Sequence, residues 1–188
     1  MSSGGRTGNF AFFVPPCSNE VGVEKQVDNL PCYGLSSVAM SDLFRLELLK
    51  EIVETVLWTS QVKGEIPISI MLVGPSGIGK SKLLSSYQEP QIHPTDNISS
   101  SGIWDIVQRD PKNDLRFILL PDINPTLSRK PSTAVATVSN LLSLTADGTV
   151  RIDDAREQKT CSHIPMGLLT ACTPEIYEKN ARKWFALG

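Results

Sequence analysis

Gly74-Pro75-Ser76-Gly77-Ile78-Gly79-Lys80-Ser81 brings three glycines, a lysine and two hydroxyls into eight residues. Each type has a use at its position. Glycine lets the backbone turn tightly, so that successive amide N–H groups can converge on an anion as donors. Lys80 would set a cation against the β- and γ-phosphates of a nucleotide, and Ser81 would offer its hydroxyl to Mg²⁺. Pro75, Ser76, Gly77, Ile78 and Lys82 complete the cradle. The helix expected from Ser81-Lys82-Leu83-Leu84 would turn its positive end to the same anion. The spacing is GxxxxGK[ST], and it predicts that the chain binds ATP with Mg²⁺.

A second acidic ligand should stand at the end of a neighbouring buried strand. Phe117-Ile118-Leu119-Leu120-Pro121-Asp122 supplies one, with Asp122 placed for Mg²⁺. A strand-end Asp also suits the start of a turn. Asn124, two residues on, can hold a water but cannot accept its proton.

These residues need elements to hold them. Leu49, Ile52, Val53, Val56 and Leu57 repeat at helical spacing and predict a helix from about Ser41, its N-cap, to Gln61, with Gly64 ending it. Ile66 to Val73 is nearly all apolar, as in a strand buried on both faces, with Pro67 tolerated at its start. Arg116 to Pro121 and Met166 to Cys172 predict two more such strands. Between them, Val135, Val138, Leu141 and Leu142 predict a helix over Ser132 to Leu144, with Gly148 just past its end. Thr173-Pro174-Glu175 begins a last helix, with Thr at the N-cap, Pro at N1 and an acid in the first turn. Buried strands alternating with amphipathic helices indicate an α/β fold with a parallel sheet.

The order of GxxxxGK[ST] loop, apolar strand with terminal Asp122, helix, then strand ending in a polar residue resembles the AAA+ branch of P-loop ATPases. It is most similar to small phage or mobile-element members, over roughly Ser41 to Gly188. The resemblance implies a three-layer P-loop NTPase core and an ATPase that couples nucleotide state to assembly on, or remodelling of, a nucleic-acid or protein target. It also implies that Thr173 senses the γ-phosphate, with Thr170 the weaker candidate. Lys80, Asp122, Asn124 and Thr173 would form the catalytic set.

Two departures stand out. The family places Glu directly after the strand-end Asp, where this chain has Ile123. Hydrolysis is therefore expected to be slow, to draw on an acid elsewhere such as Asp147 or Asp153, or to be absent. The family also has a fifth core strand and a helical lid after the last helix, and the sequence to Gly188 holds neither. The core is expected to be incomplete at that end, completed by further chain or by a partner.

The resemblance implies self-association into a ring or filament, with an arginine reaching the neighbouring subunit's phosphate. Arg129, Arg151, Arg156 and Arg182 are candidates. Gly148 to His163 occupies the place where DNA-acting members insert a loop or β-hairpin. Arg151, Arg156 and Lys159 suit phosphate contacts there, but Asp153, Asp154 and Glu157 cancel their charge, and a solvated loop is the favoured expectation. Trp104 lies near the family's substrate-gripping loop, although core packing suits its amphipathic segment better.

Composition bounds the alternatives. The 188 residues are 40% hydrophobic and 20% charged, enough for a core and unlike a wholly disordered chain. Lys and Arg total 18 against 20 Asp and Glu, a formal charge of -2, which excludes a strongly basic coat. No apolar run approaches the roughly 18 residues of a spanning helix, so no membrane role is expected. Met1 to Asn9 is polar and carries no secretory signal. Residues 1–40, rich in Gly, Ser and Pro, are expected to form an arm, flexible or docking on a neighbour, and 41–188 the core. Cys17, Cys32, Cys161 and Cys172 show neither a disulfide framework nor zinc spacing; reduced thiols in the cytoplasm are expected. Cys161-Ser162-His163 lacks further metal ligands, and His93 and His163 lack a triad partner.

Two other function classes compete with the ATPase. One is a nucleotide-gated structural or binding module with little hydrolysis, motivated by the missing Glu and lid. The other, ranked third, is a small-molecule phosphotransferase, which needs a lid arginine and an acceptor pocket.

Overall fold

The computed structural model describes residues 47–186 apart from 113, 155 and 156. The expected arm, 1–40, and the Ser41 cap lie outside the described residues. The chain forms α1 (Glu47–Trp58) and a short 3₁₀ turn, Thr59–Gln61, then β1 (Ile70–Val73), α2 (Lys80–Ser85) and β2 (Ile92–Pro94). There follow α3 (Ser100–Arg109), β3 (Phe117–Leu120), α4 (Asn124–Leu127) and α5 (Pro131–Asp147). Last come β4 (Val150–Asp154), β5 (Glu157–Cys161), β6 (Gly167–Cys172) and α6 (Pro174–Ala186).

Four strands make one parallel sheet in the order β1-β6-β3-β2. Residues alternate between its faces, as a pleated strand requires. Ile70, Leu72, Phe117, Leu119, Leu169 and Ala171 point to one side, where Leu49, Val53, Val56 and Leu57 of α1 and Leu83 and Leu84 of α2 cover them. Val73, Ile118, Leu120 and Cys172 point to the other, against Ile103, Ile106 and Val107 of α3 and Val138, Leu141 and Leu144 of α5. Both faces are dry. That is why these strands read as continuous apolar runs.

Several expectations are adjusted. The first strand begins at Ile70, not Ile66. Pro67 has no N–H to give a ladder. The next residues are tied by side chains instead: the Ile68 amide donates to Thr59 Oγ1 at 3.0 Å, and Ser69 Oγ accepts from the Leu168 amide at 2.9 Å. α5 runs longer at both ends than expected. Val135 lies on its exposed face, and Ala134 and Thr137 take the buried places beside Val138 and Leu141. Gly148 caps α5 with φ +60 and donates its amide to the Leu144 carbonyl at 3.1 Å.

The segment favoured as a solvated loop is a β-hairpin. β4 and β5 pair antiparallel, with Val150 opposite Cys161 and Ile152 opposite Lys159. Val150 is buried and Cys161 half-buried against the α3–α5 cluster, so an apolar root holds the hairpin where its charges alone would not. Trp104 packs on the same cluster, as its segment predicted. No helix among the described residues is long and apolar enough to cross a membrane.

Candidate functional site

β1 ends at Val73 and the chain enters the Gly74–Ser81 loop at the carboxyl edge of the sheet. Gly77 and Gly79 hold φ +81 and +89, the left-handed region that side-chain-bearing residues avoid. The turn brings Lys80 back over its own loop. Its ammonium donates to the Gly74 carbonyl at 2.6 Å and to the Pro75 carbonyl at 2.7 Å, and the residue is buried at 7% exposure. α2 follows, and its Leu83 amide donates to the Gly79 carbonyl at 2.8 Å. The amides just before it belong to the first turn, whose donors have no intrahelical acceptor. α2 has only six residues, so these amides outweigh any helix macrodipole in what the loop offers an anion.

Ser81 Oγ donates to the Pro121 carbonyl at 2.9 Å, which sets the end of the loop beside Asp122. Asp122 is exposed, and its Oδ1 accepts from the Asn124 amide at 2.9 Å. The carboxylate therefore starts the α4 turn, as a strand-end Asp commonly does. Asn124 is turned along α4, where its Oδ1 accepts from the Ser128 hydroxyl at 3.0 Å.

β6 lies between the two halves of this site. The Gly74 amide donates to the Cys172 carbonyl at 3.3 Å, and the Ile123 amide donates to the Ala171 carbonyl at 3.1 Å. Thr173 follows at once. Its carbonyl accepts from the Tyr177 amide at 2.9 Å to open α6, and its hydroxyl bonds the Glu175 carboxylate. Thr170, the weaker sensor candidate, is instead buried in the sheet and donates to the Leu120 carbonyl at 2.8 Å.

The charges of the site feel one another. Burial lowers the proton affinity of Lys80, while Cys172, Asp122 and Glu175 oppose that shift. Burial pushes the Cys172 thiol up to about 11, although Lys80 pulls it down. Glu175 is held below the usual carboxylate range by hydrogen bonds from the Thr173 hydroxyl and from its own amide, with Lys80 adding to the effect. Glu175 was expected only to complement a helix end. No local signal in the sequence marks it as part of this site; the sheet order brings it there.

Other expected residues lie apart. Asp147 ends α5 just before Gly148, whose carbonyl accepts from the Ile164 amide at 3.0 Å, ahead of the start of β6. It therefore belongs to the opposite, amino end of the sheet and is no substitute acid for the loop. The side chain of Asp153 and residue Arg156 lie outside the described residues, as does the side chain of Arg182. Arg151 and Lys159 are exposed on the hairpin and Arg129 is half-buried after α4. His93 has its proton affinity lowered by burial and by Arg109. His163 Nδ1 lies 3.1 Å from Ser162 Oγ. Among the described residues no three His, Cys, Asp or Glu side chains gather to hold a metal.

A cavity of about 510 Å³ opens beyond Pro121, between the end of α2 and the ends of β2 and β3, lined in part by Tyr87, Gln88, Thr95 and Asp96. Pro121, whose carbonyl accepts from Ser81, stands in its wall. No protein-family model, curated protein or solved structure matches the chain.

Proposed function

We propose that this chain is an AAA+-like P-loop ATPase core. In this reading it binds MgATP in the Gly74–Ser81 loop, converts ATP and water to ADP and phosphate, and couples the nucleotide state to assembly on, or remodelling of, a nucleic-acid or protein target. One observation carries the reading: Lys80 is folded back over a loop of two left-handed glycines, and Ser81 is tied to the residue before Asp122, all at the carboxyl edge of a parallel sheet. Ligands of open α/β sheets bind at that edge.

Mg²⁺ fits the residues present. Ser81 gives its proton to Pro121, so its oxygen lone pairs remain for a cation, and Asp122 supplies an exposed carboxylate beside it. Mg²⁺ commonly takes one or two such hard oxygens from protein and the rest from water and phosphate. When bound, it would neutralise charge on the β- and γ-phosphates.

The hairpin after α5 exposes Arg151 and Lys159 and is the surface through which the chain would reach a nucleic-acid or protein target, its three acidic residues offsetting its three basic ones. Self-association into a ring or filament would bring an arginine to a neighbour's nucleotide, with Arg129, Arg151, Arg156 and Arg182 as the candidates. The reading implies a cytoplasmic setting. Molecular mass in solution, measured with and without MgATP and again with DNA, tests the coupling. A nucleotide-dependent shift to a multimer is expected; an unchanged monomer under all conditions would contradict it.

A second reading, a nucleotide-gated module with little hydrolysis, is favoured by one local fact. The position after Asp122 is a fully buried isoleucine, and the Asn124 side-chain oxygen is already engaged by Ser128. Steady-state turnover above roughly 10⁻² s⁻¹, the rate of a GTPase with its arginine in cis, would rule it out.

A further inference from the structure

The ATPase reading leaves a chemical gap. Hydrolysis with a protein base needs a group that accepts a proton from the attacking water, and the residues beside Asp122 cannot do so. Ile123 is apolar and buried, and an amide such as Asn124 has no basic site for that proton. A carboxylate in that role has to come from another element. It has to stand at the carboxyl edge of the sheet, near Lys80, with open access to water.

Glu175 meets each condition. β6 is the strand between β1, which feeds the loop, and β3, which feeds Asp122. Its last residues are bonded to both sides, to Gly74 through Cys172 and to Ile123 through Ala171. The first turn of α6 therefore starts at the carboxyl edge of the sheet, between the strand that leads to Lys80 and the strand that leads to Asp122. Glu175 lies in that turn and is exposed, so water reaches it. The Thr173 hydroxyl is close enough to the carboxylate to favour its charged form, the place of an orienting partner in other catalytic pairs.

We propose that Glu175 is the catalytic carboxylate of this chain, accepting the proton of the water that attacks the γ-phosphorus of ATP. The inference rests on the ATPase reading above. In the step, the water oxygen forms a bond to the γ-phosphorus while one of its protons passes to Glu175. The bond from the γ-phosphorus to the β–γ bridging oxygen breaks, and its electron pair leaves on ADP. The protonated Glu175 then returns its proton to phosphate or solvent. The Thr173 hydrogen bond, the bond from its own amide and Lys80 all favour the ionised carboxylate, the form that accepts a proton. Thr173 is a positioning residue in this arrangement, which gives its hydroxyl a use beyond the start of α6.

The test compares the full-length wild type with Glu175→Gln and Thr173→Val. A fluorescent ATP analogue reports binding and radiolabelled ATP with Mg²⁺ reports single-turnover hydrolysis. Glu175 is exposed, so Gln, of the same shape, removes basicity without removing packing. Glu175→Gln is expected to bind ATP within about threefold of wild type and to hydrolyse it about 100-fold more slowly, the lower end of what a positioned base contributes. Thr173→Val, which leaves the Glu175 carboxylate present but unanchored, should lose turnover by a smaller factor than Glu175→Gln; unchanged turnover overturns the positioning role of Thr173. A loss of less than tenfold in Glu175→Gln overturns the proposal. So does a wild type that binds ATP and never hydrolyses it. A wild type that binds no ATP overturns instead the reading on which the proposal stands.

Discussion

The hydroxyl of Ser81 donates to the carbonyl of Pro121 at 2.9 Å, across forty positions of sequence. That contact joins the end of the glycine loop to the strand that delivers Asp122. It explains why two short segments, each unremarkable alone, form one site.

Ser81→Ala separates the metal from the nucleotide. The hydrogen bond is exposed, so its loss should cost at most about 1 kcal/mol of stability. ATP affinity measured with Mg²⁺ should fall at least tenfold, while affinity in EDTA should change little. Equal losses in both conditions would mean that Ser81 shapes the loop and does not serve the metal.

Thr170→Val tests the assignment of the two threonines. Its hydroxyl is buried and donates within the sheet to Leu120. Chemical denaturation should show a loss of about 0.5–1.5 kcal/mol. ATP turnover in the folded variant should equal that of wild type. A selective loss of turnover would return Thr170 to the sensor role.

Gly148 and Gly64 both hold positive φ, +60 and +82, yet they should respond differently to alanine. A Cβ at Gly64 meets nothing within 4 Å, whereas at Gly148 it would stand 2.9 Å from the Ile164 carbonyl oxygen. Gly64→Ala should cost only the left-handed backbone penalty, about 1–2 kcal/mol. Gly148→Ala should cost at least about 1 kcal/mol more, because backbone must move to admit the methyl. Urea denaturation of the pair checks the difference, and equal values would argue against the tight α5–β6 connection.

Cys172 ties stability to alkaline pH. Its thiol ionises at about 11 in the fold against an ordinary value of 9.0. Between those values the unfolded chain has lost the proton and the native chain still holds it. The thiol's contribution is thus full below pH 9 and is lost as pH rises through 11. Lys80 acts with the opposite sign, since its folded proton affinity is lowered, so the wild-type curve alone mixes the two. The difference in stability between wild type and Cys172→Val should therefore decline from pH 9 to 11. A flat difference would place the thiol in a wetter environment.

How much of this could be read from the amino acids depends on the range of the interactions. The glycine loop is local, and eight consecutive residues encode it. The strands ending at Val73, Leu120 and Cys172 were legible because a sheet covered on both faces leaves continuous apolar runs. The start of β1 was not, because Ile66 and Ile68 look like strand residues while Pro67 and the side-chain bonds at Thr59 and Ser69 decide otherwise. The β4–β5 hairpin was obscured by its charges, since among its described side chains Val150 and Cys161 are the ones that root it. Val135 keeps helical spacing yet faces solvent, because the burial stripe of α5 runs through Ala134 and Thr137. Glu175 joins the site only through the order β1-β6-β3, a non-local fact that no spacing along the chain reports.

Equilibrium titration of the full-length protein with labelled ATP and Mg²⁺, beside Lys80→Ala, tests the central claim most directly. Lys80 is buried against two carbonyls, so the variant's fold should be checked by circular dichroism before its binding is compared. The account predicts saturable binding by wild type. It predicts affinity lowered about 10- to 100-fold in the variant, as follows from removing about 1.5–3 kcal/mol of charged hydrogen bonding. No saturable binding by wild type at millimolar ATP, or the same affinity in both proteins, would contradict it.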